Sequence, residues 1–148
     1  MIPKQPQDLT TEGLSAHLTE GVFAGASISS VEIQTVGSDV GFLGDICRVV
    51  PGYTDDSGPW PRSIIAKFPT LRPGSLEAGR HLLAYEREAL FYRHAANQCP
   101  AEPPEHYFSI ESDNPGDYLI FMEDLEGGRF VKRVDGLSFA DACTAMQA

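Results

Sequence analysis

Long apolar runs and basic residues are both scarce in this sequence. The longest uninterrupted apolar run, Tyr118 to Met122, has five residues, whereas a membrane-spanning helix needs about 20. Lys and Arg number 11 against 21 Asp and Glu, which gives a formal net charge of −10. A nucleic-acid binder needs basic side chains to displace counterions from phosphates. We therefore expect neither a membrane span nor general nucleic-acid binding.

Cysteine and metal-binding patterns are also sparse. Cys47, Cys99 and Cys143 are far apart and form no CxxC pair. The sequence predicts no signal peptide, because no basic segment followed by an apolar stretch opens the chain. An odd number of cysteines without a secretion signal indicates reduced thiols and a cytoplasmic location. The four histidines show neither the i, i+4 spacing nor the Cys partners of a zinc site, so we expect no metal centre.

The charge of the chain is unevenly distributed over a length that fits one domain. The 148 residues are 42% apolar and 22% charged, close to the average of globular proteins. Residues 61–100 hold six basic and three acidic side chains, a net charge of +3, while the parts on either side are acidic. A positive centre in an acidic chain fits a bound anion, and it fits equally an arginine-rich exposed helix face.

The spacing of apolar residues predicts the order helix, three strands, long helix, two strands and a final helix. Glycines and turn residues separate the first three strands, which favours an antiparallel meander. One helix of about five turns is predicted over 76–96, because Gly79 is its only breaker. The other predicted elements are helices over 11–18 and from Ser138 onward, and strands over 31–36, 46–50, 63–68, 106–110 and 118–122.

Lys67 is the first residue that suggests chemistry. It lies in a strongly apolar predicted strand, and period-two alternation puts it on the same face as Ile65. A lysine among apolar neighbours either extends its charged end to the sheet edge or meets an anion. Both interpretations stay open for Lys67 taken alone.

A carboxylate on the following helix is the natural partner for that lysine. Glu88 shares a helix face with Tyr85 and Tyr92, which favours Glu88 over Glu86 for pointing toward the sheet. A strand lysine held by a helix carboxylate is the arrangement by which kinases place phosphate oxygens. The alternative is an ordinary solvated charge on the helix surface.

Two further segments complete the candidate site. The loop between the first two predicted strands contains the small residues Gly37, Ser38 and Gly41. Glycines let backbone N–H groups face a phosphate, although a plain hairpin turn also carries them.

The most apolar strand runs through Met122 into an acidic segment from Glu123 to Leu125. Such a segment either offers a free carbonyl and N–H to a planar base or is a strand end with solvated acids.

The order of these features resembles the N-terminal lobe of a protein-kinase-like fold. The resemblance is closest to the aminoglycoside phosphotransferase, choline kinase and ecdysteroid-kinase-like superfamily. The stretches that carry it are 36–44, 65–69, 85–92, 103–108, 121–125 and 136–138. It implies an N-terminal helical extension over 1–30, a kinase-like lobe with an antiparallel sheet of about five strands over 31–125, and a linker with one more helix over 126–148.

The resemblance also implies roles for the candidate residues. Lys67 would anchor ATP, with Glu88 as its partner and Glu86 as the second choice. The loop that contains Gly37, Ser38 and Gly41 would lie over the ATP phosphates. The adenine would be enclosed by Ile65 and Met122 and hydrogen-bonded by the Glu123 carbonyl and the Leu125 N–H.

The implied activity is phosphoryl transfer from ATP, with Mg²⁺, to a hydroxyl of an alcohol, an amino-alcohol or a sterol-like molecule. The superfamily carries its catalytic aspartate, in a His-Gly-Asp type loop, and its metal-binding aspartate in a C-terminal lobe. Neither motif occurs in this chain. We therefore expect the N-terminal portion of such a kinase, with no catalytic residue, with the Mg²⁺ ligands in the other lobe and with weak ATP binding by this piece alone.

Two alternatives remain open. The first is a non-catalytic, truncated lobe that binds a nucleotide or a protein and self-associates through the face that would otherwise meet a C-terminal lobe. The second is an unrelated α+β domain that shares only a strand lysine with kinases.

Overall fold

The computed structural model describes residues 2–36, 42–55, 57–114, 116–125 and 135–147. It has the predicted α+β class and the predicted five-stranded antiparallel sheet. The strands are β1 Ile28–Thr35, β2 Gly44–Tyr53, β3 Ile64–Pro69, β4 His106–Glu111 and β5 Tyr118–Glu123. The α-helices are α1 Thr11–Ser15, α2 Pro73–His81, α3 Ala84–His94 and α4 Phe139–Gln147, and short 3₁₀ turns cover Pro6–Asp8, Gly21–Phe23 and Ala96–Gln98. Within these ranges no helix is long and apolar enough to cross a membrane.

The strands follow the order β1-β2-β3-β5-β4 across the sheet, and every neighbouring pair is antiparallel. The first three strands form the predicted meander. The chain then leaves the sheet through α2 and α3 and returns as β4, which forms the far edge of the sheet. The next strand, β5, lies between β3 and β4. The edge strand β4 is therefore joined to the rest of the sheet through β5, the most apolar strand.

One face of the sheet packs against the N-terminal segment. Cross-strand pairing places Cys47, Ala66 and Phe121 in one row, and all three are buried. Leu14 of α1 and Phe23 belong to the same core cluster. Burial of a Leu or Phe side chain stabilises a fold by about 1.5–3 kcal/mol. The residues that precede β1 therefore contribute to the hydrophobic core.

The opposite face of the sheet, called the site face below, carries the predicted strand residues of the site. Ile65 pairs with Met122 and Lys67 pairs with Ile120, so these four side chains project from one face. Helix α3 packs on this face through Ala89, which is buried against Ile120 and Met122. Because both faces are covered, the central strands carry apolar residues on both sides.

The prediction of one helix over 76–96 is wrong, because the structure divides this segment into α2 and α3. The break lies at Leu83, which has left-handed backbone dihedrals with φ 49° and ψ 37°. That conformation costs an L-residue about 1–2 kcal/mol. Packing elsewhere must offset this cost.

Contact between Gly79 and Tyr85 explains the break. In a continuous helix two residues six positions apart point in directions that differ by roughly 120°. In the structure the Tyr85 ring lies directly on Gly79, where an added Cβ would come within 2.5 Å of the tyrosine oxygen. The turn at Leu83 therefore folds the start of α3 back against α2 and directs Tyr85 toward the site face.

The predicted helix starts at both ends of the chain are confirmed. The Thr10 hydroxyl oxygen accepts a hydrogen bond from the Gly13 N–H at 3.0 Å, and the Ser138 hydroxyl oxygen accepts one from the Asp141 N–H at 3.1 Å. Helix α1 ends at Ser15, before the predicted end at position 18. The chain continues in turns that still place Leu18 in the core.

Candidate functional site

A cavity of about 440 Å³ lies between the site face and helix α3. Its walls are mostly apolar and include Ile65, Met122, Tyr92 and Phe42. Two charged side chains, Lys67 and Glu88, also line it. Ligand sites in proteins are typically concave and apolar, with a few polar groups that fix orientation. This cavity has that composition.

Lys67 and Glu88 form an ion pair inside the cavity. The distance from Lys67 Nζ to Glu88 Oε1 is 2.5 Å. Strand β3 places the lysine on the site face, and α3 directs the carboxylate toward it. The pairing of Lys67 with Glu88 is thus confirmed, whereas Glu86 accepts a hydrogen bond from the Gly116 N–H at 2.8 Å. The functional role of the pair stays a prediction.

The Lys67–Glu88 pair is partly open to water. The two side chains keep 32% and 29% of their surface accessible. Ion pairs with such access to water contribute about 1 kcal/mol or less to folding. A lysine ammonium has three donors, and Glu88 is the acceptor that the described part of the chain provides for Lys67. The ammonium group therefore retains donors that can bind an anion in the cavity.

The predicted base-binding residues divide into two groups. Ile65 and Met122 are cross-strand partners that line the cavity beside Lys67. Glu123 ends β5, with its N–H bonded to the Glu105 carbonyl at 2.8 Å, and Leu125 is 57% exposed. Neither of these last two residues lines the cavity in the described part of the chain. Their predicted contact with a base stays a prediction.

The predicted phosphate loop can be followed only at its end. Gly37, Ser38 and Gly41 lie outside the described residues. The next residues, Phe42 and Leu43, line the cavity and lead directly into β2. The chain therefore enters β2 beside the cavity.

Tyr85 is a cavity residue whose role the sequence patterns did not reveal. Its hydroxyl donates a hydrogen bond to the Leu43 carbonyl at 2.7 Å. Burial raises the pKa of this hydroxyl, so it remains a neutral donor. The bond ties the first turn of α3 to the chain that leaves the predicted phosphate loop. Its position on the helix face of Glu88 was the available signal, one turn before the glutamate.

A second charged cluster lies at the other end of the site face. The Asp124 carboxylate, 5% exposed, accepts hydrogen bonds from Nε and Nη2 of Arg48 and from the Ser63 hydroxyl. The hydrogen bonds from Arg48 hold the pKa of Asp124 below its usual range. Sequence reasoning missed this cluster, because its three residues come from separate segments that only the strand register brings together.

The arrangement places a cation with free donors beside an apolar surface, which is the chemistry that suits an anion with an apolar part. In the residues that the structure describes, no cluster of three or more His, Cys, Asp or Glu side chains is placed to hold a metal ion. Glu88 is paired with Lys67 and is the acidic residue that lines the cavity.

No protein-family model matches the chain, and neither does any curated protein or solved structure. The superfamily resemblance therefore remains a prediction.

Proposed function

We propose that this chain is the nucleotide-binding lobe of an ATP-dependent phosphotransferase that acts on a small-molecule hydroxyl. The observation that carries the proposal is the Lys67–Glu88 ion pair in an otherwise mostly apolar cavity. Glu88 holds the ammonium group in one position, and the ammonium group presents its remaining donors to the cavity. A phosphate oxygen is an acceptor that such a charge-assisted donor binds well.

The shape of the cavity supports a nucleotide rather than a simple anion. Ile65 and Met122 form an apolar surface next to Lys67, so a ligand with a flat apolar part and an anionic part meets both. The volume, about 440 Å³, lies within the roughly 300–1,000 Å³ of small-molecule sites. An adenine against Ile65 with phosphates at Lys67 uses both features.

Chemistry on that nucleotide would require further groups. Transfer of the γ-phosphoryl needs a base to orient the acceptor hydroxyl and carboxylates to hold Mg²⁺. The 148 residues contain no His-Gly-Asp loop that would supply them. We assign to this chain the binding and positioning of ATP. Cys47, Cys99 and Cys143 are free thiols, and free thiols are typical of cytoplasmic proteins. We therefore propose a cytoplasmic location.

A second candidate function is a non-catalytic module that binds a nucleotide or another protein. Phe42 favours it, because this cavity residue leaves 61% of its surface exposed. Leu83 and Leu90 are also at least half exposed on and beside α3. Large exposed apolar patches mark interaction sites in globular proteins. Sedimentation of the 148-residue chain tests this second function. Association that increases with protein concentration would favour the non-catalytic binding module.

Titration of the isotope-labelled chain with Mg-ATP, followed by NMR, tests the proposal. The method measures weak binding and shows at once whether each variant is folded. We expect ATP to shift signals from β3 and α3, and Lys67→Met to weaken binding about tenfold or more by removal of the cation. Lys4→Met is the matched control, because Lys4 pairs with Asp117 outside the cavity. Absence of ATP binding, or equal binding by both variants, would contradict the proposal.

A further inference from the structure

The β3–β5 ladder ends where the predicted base-binding segment begins. Its last pair joins Ile64 to Glu123. The next residue, Asp124, is instead held by side-chain contacts with Arg48 and Ser63. The segment from Glu123 to Leu125, called the linker segment below, therefore leaves the sheet pairing after Glu123, and side-chain contacts hold it at Asp124.

Strand register explains why Arg48 reaches this carboxylate. Arg48 pairs with Ile65, and Ile65 pairs with Met122, so the three side chains form one row on the site face. Asp124 follows Met122 by two residues and projects from the same face. The guanidinium consequently crosses β3 next to Ile65, at the edge of the apolar surface that lines the cavity.

We infer that Asp124 is a positioning residue for the nucleotide base. By fixing the linker segment to β2 and β3, it sets the position of the two predicted base contacts, the Glu123 carbonyl and the Leu125 N–H, relative to a base that lies on Ile65. The inference rests on the proposed function and assigns base recognition, as distinct from phosphate binding, to the Arg48–Asp124–Ser63 cluster.

Stability alone is a weak explanation for this cluster. The Asp124 carboxylate is enclosed while the Arg48 side chain keeps 34% of its surface exposed, and a buried charge paired in this way contributes little net stability compared with apolar side chains of similar size. A bidentate Arg–carboxylate contact does provide a fixed geometry. The cluster therefore contributes a defined backbone position at the point where the ladder no longer provides one.

The test compares ATP with inorganic tripolyphosphate, which has the phosphates but no base. Both ligands are titrated at one Mg²⁺ concentration into the wild-type chain and into Asp124→Asn, with NMR as readout. We expect Asp124→Asn to weaken ATP binding about tenfold, or about 1.4 kcal/mol, and to change tripolyphosphate binding less than about twofold. Asp117→Asn is the matched control, because Asp117 is also well enclosed, at 12% exposed, and is held by Lys4. This control should leave the ratio of the two affinities unchanged.

The outcomes separate this inference from the proposed function. If the wild-type chain binds ATP and Asp124→Asn keeps the wild-type affinity ratio, the inference is wrong while the proposed function stands. A wild-type chain that binds ATP no better than tripolyphosphate also overturns the inference, since no base is then recognised. If the wild type binds neither ligand, both proposals fall. Should Asp124→Asn not fold, Ser63→Ala removes one hydrogen bond from the same carboxylate, and an unchanged ratio in that variant overturns the inference.

Discussion

Replacement of Gly79 by alanine tests the contact that divides α2 from α3. A Cβ at Gly79 would lie 2.5 Å from the Tyr85 oxygen and 2.6 Å from two ring carbons. Tyr85 cannot easily move away, because it is buried and its hydroxyl is bonded to the Leu43 carbonyl. The substitution therefore forces a shift in a side chain that lines the cavity.

Two opposing effects set the expected magnitude. Alanine is favoured over glycine inside a helix by about 1 kcal/mol, whereas overpacking of a filled site costs about 1–3 kcal/mol. Gly74 lies in the same helix, and nothing lies within 4 Å of the Cβ that an alanine would add there. The difference between Gly79→Ala and Gly74→Ala therefore isolates the steric cost. We expect the free energy of unfolding of Gly79→Ala to be lower than that of Gly74→Ala by about 1–3 kcal/mol.

Urea unfolding followed by fluorescence of Trp60, the one tryptophan of the chain, measures this difference. Trp60 is a suitable reporter because its indole N–H donates a hydrogen bond to the Ala24 carbonyl at 3.1 Å. The two residues are 36 positions apart in the chain, so unfolding breaks this contact. Equal stability of the two variants, or a more stable Gly79→Ala, would refute the reasoning that Tyr85 packs on Gly79. The explanation for the left-handed Leu83 would then fail with it.

Two further predictions concern buried titratable groups. Because Arg48 lowers the pKa of Asp124, the carboxylate stabilises the fold above about pH 4, and this contribution is lost as the pH falls through the lowered pKa. Asp124→Asn should thus be less stable by about 2 kcal/mol at pH 6 in urea unfolding, and the difference should shrink at pH 2; a constant difference would contradict this. Burial raises the pKa of the Cys47 thiol to about 12, so a disulfide reagent at pH 8 should modify the exposed Cys143 and reach Cys47 only after unfolding. Equal native rates at the two thiols would show that Cys47 is not enclosed.

Strand positions and one side-chain pair could be predicted from the sequence, because both follow from local periodicity. Alternation along β3 places Ile65 and Lys67 on one face whatever the strand neighbours are. Helical spacing places Glu88 on the face of Tyr85 in the same way. The Lys67–Glu88 contact then needs only that the helix packs on that face.

Contacts that depend on tertiary packing could not be predicted. The turn at Leu83 has no local signal, since its reason is the contact between Gly79 and Tyr85. The bond from Arg48 to Asp124 spans 76 positions and requires the register of β2, β3 and β5 together. A strand order that inserts β5 between β3 and β4 likewise arises from the sheet and not from any one strand.

Chemical labelling of Lys67 by a reactive nucleotide tests the central claim most directly. An acyl-phosphate derivative of ATP transfers its acyl group to a lysine amine that lies beside the bound phosphates, and peptide mass spectrometry identifies the lysine. We predict preferential labelling of Lys67 and its suppression by excess ATP, with Lys4 as the unprotected reference in the same sample. Labelling of Lys67 no faster than Lys4, or without protection by ATP, would contradict a nucleotide site at the Lys67–Glu88 pair.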